Sequence, residues 1–143
     1  MNDNVRTVEV TRIEKGLYEA TNRHGAKIVF GHDNTKNLSA VELLLAAIAG
    51  CSGTDVDFIT SKRAEPTSFR VRISGEKVRD AAGKNHVTDI SLTFDIEFPE
   101  DEGGDAARGV LERAVHQSHD RLCSVSQTVE RGTPISVHLA GEG

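Results

Sequence analysis

The stretch Leu38-Ser39-Ala40-Val41-Glu42-Leu43-Leu44-Leu45-Ala46-Ala47-Ile48-Ala49-Gly50-Cys51-Ser52-Gly53-Thr54-Asp55-Val56 reads as a single long helix with a defined start. Ser39 followed three residues later by Glu42 is a capping box. Each side chain satisfies a backbone N–H that the first helical turn leaves without a partner. The helix should run from about Ala40 to about Arg63, because Pro66 forbids its continuation. Its middle, Ala46 to Gly53, is unusually small. Gly50 and Gly53 each cost about 1 kcal/mol relative to alanine in a helix interior. Close approach of another backbone at Cys51 would offset that cost.

Upstream, Val8, Val10 and Arg12 alternate with Thr7, Glu9 and Thr11 as a strand that Gly16 ends. Leu17 to Thr21 and Ala26 to Phe30 form two more strands, joined through Asn22-Arg23-His24-Gly25, where Gly25 is free to take positive φ. The loop Gly31-His32-Asp33-Asn34 leads to the helix. Downstream, Phe69, Val71 and Ile73 alternate, and Ile90, Leu92, Phe94, Ile96 and Phe98 alternate more strongly. Ala107, Val110, Leu111, Ala114, Val115 and Leu122 make a helical stripe, preceded by an acidic loop that suits a helix N-terminus. A short helical piece, Ser124 to Glu130, comes after Cys123. Ile135, Val137 and Leu139 then suggest a last strand. The predicted fold is α+β, in the order βββ-α-ββ-α-β, with antiparallel sheet against two main helices. Residues 1–143 form one domain in this reading.

Composition narrows the function. A hydrophobic share of 37% with 13 glycines implies a modest core, of the kind that often needs a second chain. Seventeen basic against 22 acidic side chains give a net charge of −5, which argues against general attraction to nucleic acid or anionic membrane. No Trp, one Tyr and five Phe offer no platform for stacking bases. The polar start Met1-Asn2-Asp3-Asn4 does not resemble a signal peptide, and the apolar run Leu43 to Cys51 is far shorter than the roughly 20 residues of a membrane span. A cytoplasmic protein is expected, in which two cysteines are either reduced and reactive or simply buried.

Cys51 has Ala47 and Ile48 one turn before it and Thr54 and Asp55 one turn after. It reads either as a small buried hydrophobe or as a nucleophile. A reactive thiol works as its thiolate, so something must lower a pKa ordinarily about 8.5. Asp55 opposes this by like charge, so a cation must come from elsewhere in the fold. Cys123 has His119 and His116 four and seven residues before it. Three readings compete for it: a partner thiol of Cys51, a metal ligand with His116 and His119, or packing. The metal reading is the weakest, because a second Cys/His pair is missing.

Two segments carry a resemblance. The Leu38–Val56 helix is similar to the first cysteine helix of the OsmC/Ohr superfamily (osmotically inducible protein C / organic hydroperoxide resistance), and most of all to its OsmC-like branch. Ala114-Val115-His116-Gln117-Ser118-His119-Asp120-Arg121-Leu122-Cys123-Ser124-Val125 resembles the second cysteine helix of that family. The resemblance spans about Val8 to Leu139 and implies a thiol-dependent peroxidase working as an intertwined homodimer. Cys51 would attack a small-molecule hydroperoxide, Cys123 would resolve the sulfenic acid as a disulfide, and a dithiol reductant, lipoyl-like or another small thiol, would restore both. No cofactor or metal is implied. Arg23 resembles the arginine-bearing turn whose guanidinium holds the thiolate. The peroxidase subfamilies carry an acid ten residues before the first cysteine, where this chain has Val41. Glu42 lies roughly opposite Cys51 on the helix and is explained by capping. Ser124-Val125 stands where the hydroperoxide-specific branch has Pro-Tyr. These departures favour, as the alternative, a redox-sensing or small-molecule-binding domain with weak or no peroxidase activity.

Overall fold

A computed structural model describes residues 4–32 and 36–141. The Met1–Asp3 part of the N-terminal reading and the Asp33-Asn34 part of the predicted loop lie outside them. The elements are β1 (Val8–Glu14), β2 (Leu17–Asn22), β3 (Lys27–Gly31), α1 (Ala40–Thr60), β4 (Ser68–Arg79), β5 (Asn85–Glu97), α2 (Glu102–Gln117), a π-helical turn (Ser118–Leu122) and α3 (Ser124–Arg131). The chain divides into two compact units, Met1–Leu45 and Ala46–Gly143.

The first unit is the antiparallel meander β1-β2-β3 followed by the opening turn of α1. Val10 pairs with Ala20, and Tyr18 pairs with Phe30 so that their rings pack 5.8 Å apart. The β2–β3 turn is closed by Asn22, whose Oδ1 accepts from the His24 and Ala26 backbone N–H groups at 3.0 Å. Gly25 there adopts φ +87°, as the sequence requires. The capping box forms as read: Ser39 N–H donates to Glu42 Oε1 at 2.8 Å, and Glu42 N–H donates to Ser39 Oγ at 3.1 Å.

In the second unit β4 and β5 make a long antiparallel hairpin that pairs Phe69 with Ile96, Val71 with Phe94 and Ile73 with Leu92. The inner stripe of α1 is Ile48, Ala49, Ser52, Gly53, Val56 and Thr60, all buried. This stripe explains one of the two glycines. A Cβ at Gly53 would lie 3.4 Å from Val71 Cγ2 and 3.6 Å from Phe69 Cε1, so β4 side chains approach there. The expected backbone approach at Cys51 is therefore corrected to a side-chain approach at Gly53. Gly50 faces open space, and nothing in the structure explains it. α1 has the length and hydropathy of a spanning helix (21 residues, mean hydropathy 1.4), a pattern that core helices share.

α1 stops at Thr60, where the Arg63 and Ala64 N–H groups both turn back to the Thr60 carbonyl. Asp101 caps α2, its side chain accepting from Gly104 N–H at 2.7 Å. The predicted second helix does not run straight to Leu122. It becomes a π-helical turn at Ser118, in which Cys123 N–H reaches back five residues to the Ser118 carbonyl at 2.9 Å. The predicted last strand is not formed: residues 133–139 have no regular structure, and Ile135 and Val137 are each 87% exposed. A strand requires a partner edge, and among the described residues this segment pairs with no strand.

Candidate functional site: a cysteine pair

The second unit brings the two cysteines together. α1 presents Cys51, half-buried, beside the buried Ser52. The π-helical turn ends on Cys123, which is 0% exposed and is the N-cap of α3. Cys123 Sγ accepts the Ser126 backbone N–H at 3.4 Å, and the two sulfurs are near enough for each to perturb the other's ionisation. Both thiols are free. Gln127 holds the turn in shape, its Nε2 donating to the His119 carbonyl at 3.0 Å and the Asp120 carbonyl at 3.3 Å.

The two sulfurs are electrostatically unlike. Burial pushes the Cys51 thiol up, against the Val125 backbone N–H that favours its thiolate; the Cys123 sulfur and the Asp55 charge push it further. Burial also acts to raise Cys123, but there it is outweighed. The Ser126 hydroxyl and backbone N–H, the Cys51 thiol and the Ser52 hydroxyl all donate to the Cys123 sulfur and bring its pKa down. The α3 N-terminus adds its dipole in the same direction. Within one chain, Cys123 is therefore the more acidic sulfur of the pair and Cys51 the less acidic one. The adverse effect of Asp55 on Cys51 expected from the sequence is present.

Behind the sulfurs lies a buried polar chain. Ser52 Oγ and Ser118 Oγ are 3.1 Å apart, and the Ser118 hydroxyl donates to Asp55 Oδ2 at 2.8 Å. The sequence reading named Asp55 only as an unwelcome charge and missed Ser52, Ser118 and Ser126. The last was legible: a serine three residues after a cysteine that precedes a helix sits where a cap partner sits. Ser52 and Ser118 come from different helices and left no local signal.

Arg23 lies in the first unit, exposed at the tip of the β2–β3 turn, with its Nε donating to His24 Nε2 at 3.3 Å. Glu42 is occupied by the capping box. His116 and His119 face outward, 4.0 Å from Glu112 and 3.7 Å from Glu130, while Cys123 points inward. Among the described residues, no three His, Cys, Asp or Glu side chains converge as metal ligands would.

Two interacting free thiols, one at a helix N-cap, define a cysteine-pair protein on an α+β scaffold. Residues 31–138 match the family model described as OsmC-like protein, and the chain belongs to that family. It is 30% identical over 107 residues to Protein YhfA of Escherichia coli, covering 74% of this chain and 75% of that protein. Its fold is similar to an OsmC-like protein of unknown function from Vibrio cholerae (TM-score 0.73, 19% identity, 89% and 94% of the two chains). It is also similar to the organic hydroperoxide resistance protein OhrB of Bacillus subtilis (TM-score 0.55, 17% identity, 89% and 92%).

Proposed function

We propose that this chain is a thiol-dependent peroxidase for organic hydroperoxides in the cytoplasm, with Cys51 as the attacking and Cys123 as the resolving thiol. The observation that carries this reading is the juxtaposition of a half-buried thiol with a buried, more acidic one. Membership of the OsmC-like family supports it.

The reaction is set by where the proton sits. Cys123 thiolate takes the proton of Cys51 as general base, and the Cys51 thiolate attacks the distal peroxide oxygen. The O–O bond breaks, Cys51 becomes a sulfenic acid, and the leaving alkoxide takes the proton back from Cys123 to depart as an alcohol. Cys123 thiolate then attacks the sulfenic sulfur, forming the disulfide and expelling hydroxide, which water protonates. The peroxide is reduced by two electrons and the thiol pair is oxidised by two. A dithiol reductant, lipoyl-like or another small thiol, reverses the last oxidation by exchange and leaves as its own disulfide. Arg23 is assigned the role of the cation that steadies the Cys51 thiolate and the peroxide oxygen. The test is titration with cumene hydroperoxide: one equivalent should remove both free thiols. A chain that keeps two thiols in excess peroxide is not this enzyme.

The high proton affinity of Cys51, together with Val41 in place of an acid, favours a second reading as a redox-sensing domain that oxidises slowly. The rate of thiol loss separates the two.

The working unit in this proposal is a homodimer. One chain leaves Phe58 69% and Ile135, Val137 and Leu139 71–87% exposed, apolar side chains that a second chain would take out of water. Sedimentation should give twice the mass of the chain; a single-chain mass at micromolar concentration would remove the dimer from the account.

A further inference from the structure

The chain turns a corner between the π-helical turn and α3, and Cys123 is its vertex. A helix end leaves its last carbonyls without N–H partners from a following turn. Here the backbone N–H groups of the corner are spent close to the cysteine. Cys123 N–H goes to the Ser118 carbonyl at 2.9 Å, Ser126 N–H to the Cys123 sulfur at 3.4 Å and Gln127 N–H to the Cys123 carbonyl at 3.0 Å. A side chain takes two carbonyls from the turn before the corner. Gln127 Nε2 donates to the His119 carbonyl at 3.0 Å and the Asp120 carbonyl at 3.3 Å, one bond for each of its two protons. Gln127 lies one turn beyond Cys123 in α3, so its amide ties the two arms of the corner together across the cysteine.

A second tie spans the same corner, from His119 Nε2 to Glu130 Oε1 at 3.7 Å, and it is the weaker one. Its side chains are 55% and 59% exposed, and ion pairs so placed add little. Gln127 is half-buried and grips backbone carbonyls, which cannot swing away as a carboxylate can. α3 has only eight residues, too few to hold a helix unaided, so its direction depends on what docks it. Cys123 leaves helical geometry at ψ 100°, so helical continuity does not fix the angle between the arms. Residue spacing sets the phase of the sulfur, and the Gln127 amide holds the angle.

We infer that Gln127 is the positioning residue of the second thiol. Its amide fixes the angle between the π-helical turn and α3, and thereby keeps the Cys123 sulfur enclosed, at 0% exposure. The Gln127 side chain meets backbone carbonyls and no reacting atom, so it acts through Cys123 alone. The use of that position rests on the reading of Cys123 as the resolving thiol; the position itself does not. Under that reading, an opened corner lowers the effective concentration of Cys123 at Cys51 and weakens their disulfide against an external thiol couple.

The test separates the two. In a Cys51→Ser chain, Cys123 is the only thiol left, and its alkylation by N-ethylmaleimide reads how well the corner is closed. Gln127→Met keeps the length of the side chain and removes both donors. It should speed alkylation by about tenfold or more, as local opening exposes the sulfur. Gln127→Lys supplies donors again and should return the rate to that of the parent, a rescue that mere packing would not give. Glu130→Gln should leave the rate unchanged. Circular dichroism confirms that the variants are folded, and Gln127→Glu, which removes the same donors, keeps the test usable if Gln127→Met does not fold. With both cysteines present, oxidised glutathione accepts two electrons and the two thiol protons and leaves as two glutathione thiols, while the Cys51–Cys123 bond forms. Gln127→Met should lower the equilibrium constant of that exchange about tenfold, equivalent to about 30 mV. An alkylation rate unchanged in folded Gln127→Met overturns the inference, as does equal speeding by Gln127→Lys or Glu130→Gln. A parent chain that forms no disulfide with glutathione overturns the paired-thiol reading, and alkylation still decides what Gln127 does. Exposure of Cys123 in Gln127→Met with rescue in Gln127→Lys supports the positioning role even if hydroperoxides prove not to be substrates.

Discussion

Cys51→Ser is expected to lower peroxide consumption by roughly 10³-fold or more, the scale on which loss of a nucleophile is felt. Serine is nearly the same size, but its hydroxyl is not ionised at neutral pH and does not attack a peroxide oxygen. Cys123→Ser should behave differently. It retains one turnover, halts at a sulfenic acid on Cys51, and then proceeds to irreversible oxidation in excess peroxide. Its single turnover should also be slower, by about 10²-fold, because the base that takes the Cys51 proton has gone. Arg23→Met should slow the first step by about tenfold, equivalent to about 1.4 kcal/mol. Stopped-flow peroxide consumption with thiol counting reads all three. A Cys51→Ser chain that consumes peroxide at the parent rate ends the enzyme proposal. A Cys123→Ser chain whose first turnover keeps full speed removes the base role and leaves the resolving role.

The largest effect on stability is expected from Val56→Asp. Val56 is 0% exposed on the inner stripe of α1, one turn from both Ser52 and Thr60. A carboxylate at that position loses its hydration and gains no partner. The cost is about 4 kcal/mol or more, against a total of about 5–15 kcal/mol for a domain of ordinary stability. Val56→Ala only removes methyl groups and should cost about 2 kcal/mol. Urea unfolding monitored by circular dichroism would order the chains as parent, alanine, aspartate. A Val56→Asp chain with the midpoint of the parent would show that this stripe is not the core of the second unit.

What the sequence made legible was mostly local. The capping box involves residues three apart, and the Asn22–Gly25 turn is decided by one side chain and one glycine. The β4 and β5 registers reflect an alternation that any folding partner must respect. The misses are non-local or depend on one extra residue. Ile135, Val137 and Leu139 alternate like a strand, but an alternating pattern cannot supply the edge it needs. The interruption of the second helix at Ser118 is invisible in an apolar stripe, because a π-helical turn changes the phase by less than the stripe is wide. For the site, the pairing of Cys51 with Cys123 came from the likeness of two segments to a family. Which sulfur is the more acidic depends on Ser126, Ser52 and the α3 cap, neighbours that only the folded chain assembles.

The π-helical turn has a consequence for how the site tolerates change. Residues 118–122 form a spacer whose length, more than its composition, sets where the second sulfur points. Each residue of a helix turns its successor by about 100° around the axis. Removing one residue between Gln117 and Cys123 would regularise the helix and swing the sulfur toward solvent, leaving both thiols intact but out of each other's reach. Side-chain replacements on the outer surface of that spacer, such as at His119, alter charge without altering phase. The geometry of the pair is thus stored in a count of residues, and drift in length would erase it sooner than drift in identity.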